Sequence, residues 1–341
     1  MPEASTLKPE RTAILPTVST PASARVFAML SDCGQVRHAN EDACGASAER
    51  GVFAVCDGMG GAAAGEVASH LALEVFLQSM RQSQNGSIPL RRIPPKAVSS
   101  ASGRPRQQGA NGQVAGGPAA NEAPTDSRTR LEEAVRAANH VVFRQSQRSR
   151  SLRGMGTTLV ALLLEEAAQV WEEASGLPAR RSTNGQTLWL AHVGDSRCYR
   201  LRAGALELLT QDHSLVEEQI QAGLMSRVQA GSSPVRNIIT RAIGSMPTVE
   251  PEIAAHVAQP CDLYLLASDG LTRELEDAEI ARILSRTAGS ALLAAASRRG
   301  VAPDADAEVQ AALNRACHAL VDAANRNGGG DNITVLLVPC L

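Results

Sequence analysis

Aromatic residues are almost missing from this chain, whose 341 residues include two Trp, two Tyr and four Phe. Its core must therefore be built from Ala, Val, Leu and Ile, and the 44% apolar content is enough to make the chain globular. Net charge is missing too. Thirty-three basic residues against 35 acidic ones leave −2, which gives no electrostatic reason to expect nucleic acid or an anionic membrane as partner. The seven cysteines are odd in number and form no C-x-x-C. That spacing argues against a zinc site or a disulfide framework and for reduced thiols in a cytoplasmic protein. Cys56 and Cys198 lie in or beside apolar runs and read as core. No apolar run approaches the roughly 18 residues of a membrane span. Residues 1–24 carry prolines and acidic residues where a secretory signal needs a basic start and an unbroken apolar centre, so they read as a flexible tail.

What is present begins with ARVFAMLSD (24–32) and GVFAVC (51–56), two short apolar runs that read as strands. From Ala64 the period becomes helical, and a second amphipathic helix starts near Arg130. Between them, residues 85–127 are rich in Pro, Gly, Ser and Arg and poor in large apolar side chains. Such a segment buries too little to offset its ordering entropy and reads as a solvated insert. Further strands are expected over 157–164, 187–193, 198–201, 206–210, 262–268 and 333–338, with helices near 214–223, 277–298 and 306–326. Hairpin-like strand pairs with helices arriving in pairs predict an α+β fold with antiparallel sheets, because the strict βαβ alternation of a parallel sheet is missing.

The stretch VCDGMGGAAAGE (55–66) has two readings. Gly58 to Ala63 matches the G-x-G-x-x-G/A turn that cradles a dinucleotide pyrophosphate. A dinucleotide fold, however, needs a second parallel strand after the helix, and here the helix runs into SQNGSIPLRRIPP. Asp57 also places a carboxylate where the pyrophosphate would sit. The same chemistry recurs at other strand ends: Asp269-Gly270 after LLAS, Gly330-Asp331-Asn332 before ITV, and Asp195-Ser196-Arg197 after AHVG. Taken singly, each is an ordinary Asp/Gly turn. Four of them abutting buried-looking strands point instead to gathered carboxylates. Such a cluster without His or Cys calls for a hard cation, Mg²⁺ or Mn²⁺ rather than zinc. Two such ions can activate a shared water and clamp an in-line displacement at phosphorus, so the expected reaction is metal-assisted phosphoester hydrolysis.

Eight segments taken in order give the chain a family likeness. They are VRHANEDA (36–43), VCDGMGGAAAGEVAS (55–69), GMGTTLVALLL (154–164), AHVGDSRCYRLR (191–202), LTQDHS (209–214), NIITRAIG (237–244), LLASDGLT (265–272) and GGGDNITVLLV (328–338). In these the chain resembles the type 2C, or PPM, family of metal-dependent protein serine/threonine phosphatases in its bacterial form. The resemblance implies a four-layer α-β-β-α sandwich and a single phosphatase domain over 25–341. It also implies two Mn²⁺ or Mg²⁺ ions, with a third at a weaker site.

Carried over residue by residue, Asp57 would bridge the two metals and Gly58 would offer its carbonyl. Asp269 and Asp331 would complete one metal's ligands, while Glu41, with Asp42 behind it, would hold waters of the other. Arg37 would bind the substrate phosphate, and Asp195 with Asp269 would form the third-metal site. The implied partners are phosphorylated proteins and a cognate Ser/Thr kinase, the chain itself acting as a monomer. Thr157 and Thr158 read as strand residues. Met59 stands where many eukaryotic members have a His proposed as general acid, which leaves a metal-held water or His213 for that proton. His213 reads first as an ordinary loop residue. Two other roles within the superfamily stand beside this reading: a regulatory phosphatase acting on an anti-sigma-factor antagonist, and an inactive binding module. The first is disfavoured by the absence of a sensor domain and the second by the complete set of metal-site residues.

Overall fold

The computed structural model describes residues 25–82, 127–165, 186–231, 233–297 and 305–341. The expected tail, and residues 85–126 of the expected insert, lie outside these; Ser127 instead opens a helix. The chain begins with strands β1 (Ala28–Asp32), β2 (Asp42–Ser47) and β3 (Val52–Met59), followed by helices α1 (Ala62–Gln82) and α2 (Ser127–Ser146). Strands β4 (Gly156–Thr157), β5 (Leu159–Glu165), β6 (Gln186–Val193), β7 (Arg197–Arg202) and β8 (Ala205–Leu208) come next. Two short helices, α3 (Leu215–Gln221) and α4 (Arg227–Gly231), form a flap before β9 (Glu252–Ala258) and β10 (Leu263–Ala267). The chain closes with α5 (Asp269–Thr272), α6 (Asp277–Thr287), α7 (Gly289–Ser297), α8 (Ala305–Asn327) and β11 (Ile333–Pro339).

The strands form two antiparallel sheets, β1-β11-β10-β7-β8 and β2-β3-β5-β6-β9, with β4 added against β3. Helices α1 and α2 cover the second sheet, and α6, α7 and α8 cover the first. A third apolar layer, including Phe53, Leu162, Tyr264 and Leu336, fills the space between the sheets. The result is the expected α-β-β-α order. Most central strands are buried on both faces, which explains their unbroken apolar runs.

Strand alternation also places the polar residues. On β10, Tyr264 and Leu266 face the other sheet while Leu263, Leu265 and Ala267 face the helices. On β3, Phe53 and Val55 face inward, and Val52, Ala54 and Cys56 face outward. Continuing the two-residue period puts Asp57 inward on β3, Asp42 inward below Cys44, Ser268 inward beyond Leu266 and Thr334 inward before Leu336. One end of the inter-sheet layer is therefore polar where the rest is hydrocarbon.

Two strands carry no clear sequence signal. β2 reads DACGAS and lacks β-branched residues, but its small side chains make room for α1: a Cβ on Gly45 would meet Leu77 Cδ1 at 3.1 Å and Leu73 Cδ2 at 3.3 Å. β9 is an edge strand with Glu252 and Val257 exposed, so its pattern is weak. The single strand expected over 157–164 is broken at Thr158, with Gly156–Thr157 and Leu159–Glu165 pairing separately with β3. Among the described residues, no helix is long and apolar enough to cross a membrane.

Candidate metal centre

Asp57 is held by its own backbone. Its N–H donates to Thr158 Oγ1 (2.9 Å), and its carbonyl accepts from Thr157 Oγ1 (2.8 Å) and Thr158 N (2.9 Å). Thr158 Oγ1 also shares a hydrogen bond with Ser196 Oγ at 2.7 Å, tying Asp57 to the residue after Asp195. The two threonines thus break the strand in order to clasp Asp57, a part that their sequence position does not advertise.

Asp42 lies directly across from Asp57 in the β2–β3 register. Its Oδ2 accepts from Thr334 Oγ1 at 2.7 Å, the end of a chain running from Asn40 through Ser31. Asp269 opens α5 immediately after β10, and Asp331 precedes β11, the neighbouring strand. Asp195 follows β6 and is nearly buried. Four of the carboxylates, Asp42, Asp195, Asp269 and Asp331, bear on Asp57. The strand-end Asp residues therefore do converge.

Burial outweighs the nearby guanidinium groups in their electrostatics. Burial first, then the neighbouring carboxylates, pushes Asp57 well above the ordinary range. Burial, with Asp195 beside it, raises Asp269 to about 8. Burial raises Asp42 to about 7 and Asp195 to about 6. Asp42 Oδ1 and Asp195 Oδ1 are buried and have no hydrogen-bond partner. Carboxylate oxygens without donors suit a hard divalent cation.

Glu41 is fixed from both sides. Its N–H donates to Asn332 Oδ1 at 2.8 Å, and its carbonyl accepts from Gly58 N at 3.1 Å. Its carboxylate lies over Gly65, where a Cβ would come within 1.8 Å of Oε2, so the small residues of the opening motif clear space for a carboxylate. Asn332, noted in the sequence only as a turn residue, also donates from Nδ2 to Cys33 O (3.0 Å) and Ala39 O (2.9 Å). It pins the loop that carries Arg37 and Glu41 to β11. Asn332→Ala is expected to cost ~2–3 kcal/mol in denaturant unfolding, since it strips three buried hydrogen bonds. It should also lower activity far more than a surface substitution would.

Arg37 is half-exposed and donates from Nη2 to Asp331 Oδ2 at 2.8 Å. Arg273, which no motif singled out, pairs with Asp269 and lies 3.5 Å from Asp331 Oδ2. It lines a cleft of about 360 Å³ together with Asp195, Asp269 and the flap residues Glu217, Arg227 and Arg236. A separate group, His192, His213 and Glu252, fastens the flap base. The two imidazoles stack at 4.6 Å, and His213 Nδ1 accepts from Gly194 N at 3.1 Å. His213 Nε2 lies 3.5 Å from Glu252 Oε2 and 3.3 Å from Arg241 Nη1. Burial and the neighbouring His192 lower His213 to about 4, so it holds no imidazolium proton at neutral pH.

A sequence profile described as protein phosphatase 2C matches residues 33–314. This chain belongs to the protein phosphatase 2C family. The serine/threonine phosphatase stp of Listeria monocytogenes is 30% identical over 90% of this chain and 93% of its own length. The crystal structure of the Mycobacterium tuberculosis phosphatase PstP/Ppp superposes with a TM-score of 0.62 at 30% identity, covering 92% of this chain and 97% of that one. A PstP catalytic-domain structure in complex with two manganese ions superposes with a TM-score of 0.61 at 29% identity, covering 92% and 96%. The two-sheet sandwich described above is the fold shared with these members of the 2C family.

Proposed function

We propose that Asp57, Gly58, Asp269 and Asp331 hold two Mn²⁺ or Mg²⁺ ions, with Glu41 acting through water, Asp42 behind it, and Arg37 receiving the substrate phosphate. The chain is a metal-dependent protein serine/threonine phosphatase. The observation that carries the ligand assignment is the convergence of buried carboxylates on Asp57, two of them with unpartnered oxygens. When bound, the ions supply an activated water at neutral pH and Lewis-acid stabilisation of phosphoryl charge.

The chain's own residues do the rest. Thr157 and Thr158 fix the Asp57 peptide, and Asn332 fixes Glu41 and the Arg37 loop. Gly58 sits so close to Glu41 O (2.4 Å from a built Cβ) that only a residue without a side chain fits. Arg37 keeps a planar fork of donors at the mouth of the cluster, with one of them on Asp331, and this geometry suits two phosphate oxygens.

The substrates are phosphoproteins, and the donor of their phosphate is a Ser/Thr kinase. We read residues 25–341 as one phosphatase domain, because β1 pairs with β11, and as a monomer. Seven cysteines outside any disulfide support a reducing, cytoplasmic setting.

Hydrolysis of a phosphothreonine peptide with Mn²⁺, with EDTA, and with Asp269→Asn tests this. Activity should vanish in EDTA and in the variant, and full activity in EDTA would refute the assignment. Arg37→Ala is expected to raise KM and lower kcat/KM by roughly 10²-fold, as loss of a charge-assisted phosphate contact should.

A further inference from the structure

We propose that Arg273 is a built-in cation of the acidic cluster: its guanidinium occupies the Asp195–Asp269 side, so that the chain takes up two divalent ions and no third. The inference rests on the metal reading given above.

Arg273 directly follows α5, a single helical turn opened by Asp269. Its backbone N–H donates to Asp269 O at 2.8 Å, which closes the turn and brings the Arg273 side chain back over the Asp269 carboxylate. Nη1 lies 3.5 Å from Asp331 Oδ2, the same oxygen that accepts from Arg37. The charge of Arg273 also bears on Asp195, opposing the effects of its burial and of Asp212. One guanidinium thus contacts two carboxylates and shares a cleft with a third, Asp195, and those of Asp195 and Asp269 are the pair that an additional ion would have to share.

Charge balance leads to the same arrangement. Glu41, Asp42, Asp57, Asp195, Asp269 and Asp331 bring six negative charges. Two divalent ions with Arg37 and Arg273 match them. A third ion would have to displace Arg273 or sit against its positive charge. Arg37 and Arg273 then have different duties. Arg37 stands half-exposed at the mouth with donors left for a phosphate, whereas Arg273 is two-thirds covered and spread over Asp269 and Asp331.

The test is a count of ions. Protein stripped with EDTA and dialysed is titrated with Mn²⁺ by calorimetry, and free Mn²⁺ is followed by electron paramagnetic resonance. Wild type, Arg273→Gln and Arg273→Lys are compared, with folding checked by circular dichroism. The wild type should saturate at two ions. Arg273→Gln should gain a third, bound at least roughly tenfold tighter than any extra uptake by the wild type. Arg273→Lys should stay at two.

A wild type that binds three ions with Arg273→Gln unchanged, or an Arg273→Gln protein that stays at two, would overturn the inference. A wild type that binds no Mn²⁺ would overturn the metal assignment itself. Should Arg273→Gln fold poorly, Asp195→Asn decides the matter. Two ions before and after the substitution support the inference, and a fall from three to two refutes it.

Discussion

Asp57→Asn is expected to abolish phosphatase activity, by on the order of 10³-fold or more, while raising the melting temperature of the EDTA-treated protein. The two effects share a cause. Asp57 lies in the field of four other carboxylates and is pushed well above the ordinary carboxylate range by burial and by those neighbours. A carboxyl whose folded pKa is raised stabilises the fold fully only below its unfolded value, near 3.8, and that contribution is lost as pH climbs through the folded value. Asp195 at about 6, Asp42 at about 7 and Asp269 at about 8 set the window.

Metal-free wild type should therefore lose stability steadily from about pH 4 to pH 8. Replacing Asp57 with a neutral isostere removes the most crowded charge and should flatten that slope. A gain of ~1 kcal/mol corresponds to about 1–2 °C at this chain length. Mn²⁺ should reverse the order, stabilising the wild type increasingly toward pH 8 and the variant little. Thermal melts across pH, with and without Mn²⁺, measure all of this. A metal-free Asp57→Asn protein that melts below the metal-free wild type at pH 8 would contradict the account.

Gly270→Ala is expected to be among the most destabilising small substitutions in the chain, on the order of 3 kcal/mol or more, with activity lost in parallel. A Cβ there would stand 2.0 Å from Asn332 O and 2.9 Å from Asn332 C. The obstacle is backbone, so no rotamer change relieves it. Gly270 and Asn332 each follow a cluster carboxylate, Asp269 and Asp331, and their close approach sets the distance between those two side chains. Forcing them apart would splay the cluster. Gly204 is the control: it has φ of +82°, and nothing lies within 4 Å of an added Cβ. Gly204→Ala should cost only the backbone strain, about 1 kcal/mol, and leave activity intact. Denaturant titrations of the two variants separate crowding from torsional strain.

The strands buried on both faces were legible in the sequence. GVFAVC, LYLLA and ITVLLV are continuous apolar runs because each faces a helix layer and the other sheet. The Asp-Gly and Asp-Asn pairs at their ends marked the positions that converge on Asp57. β2 stayed invisible because its sequence is shaped by α1: small residues lie under Leu73 and Leu77, where β propensity would favour branched ones. The break at Thr158 was invisible because it serves hydrogen bonds to Asp57 from across the sheet. Arg273 reads in sequence as one more exposed helix charge. Its relation to Asp269 is a matter of one helical turn, and its relation to Asp331 is set wholly by tertiary structure.

The alternation that carries Phe53 and Val55 into the inter-sheet layer also decides which way Asp57 points, so the hydrocarbon core acts as a ruler for the chemistry at its end. Inserting or deleting a single residue between Val55 and Asp57, or between Leu266 and Ser268, would turn the polar end of that strand toward the helices with its core packing unchanged. The centre is therefore indexed by parity. Length can change only where no strand connects core to cluster.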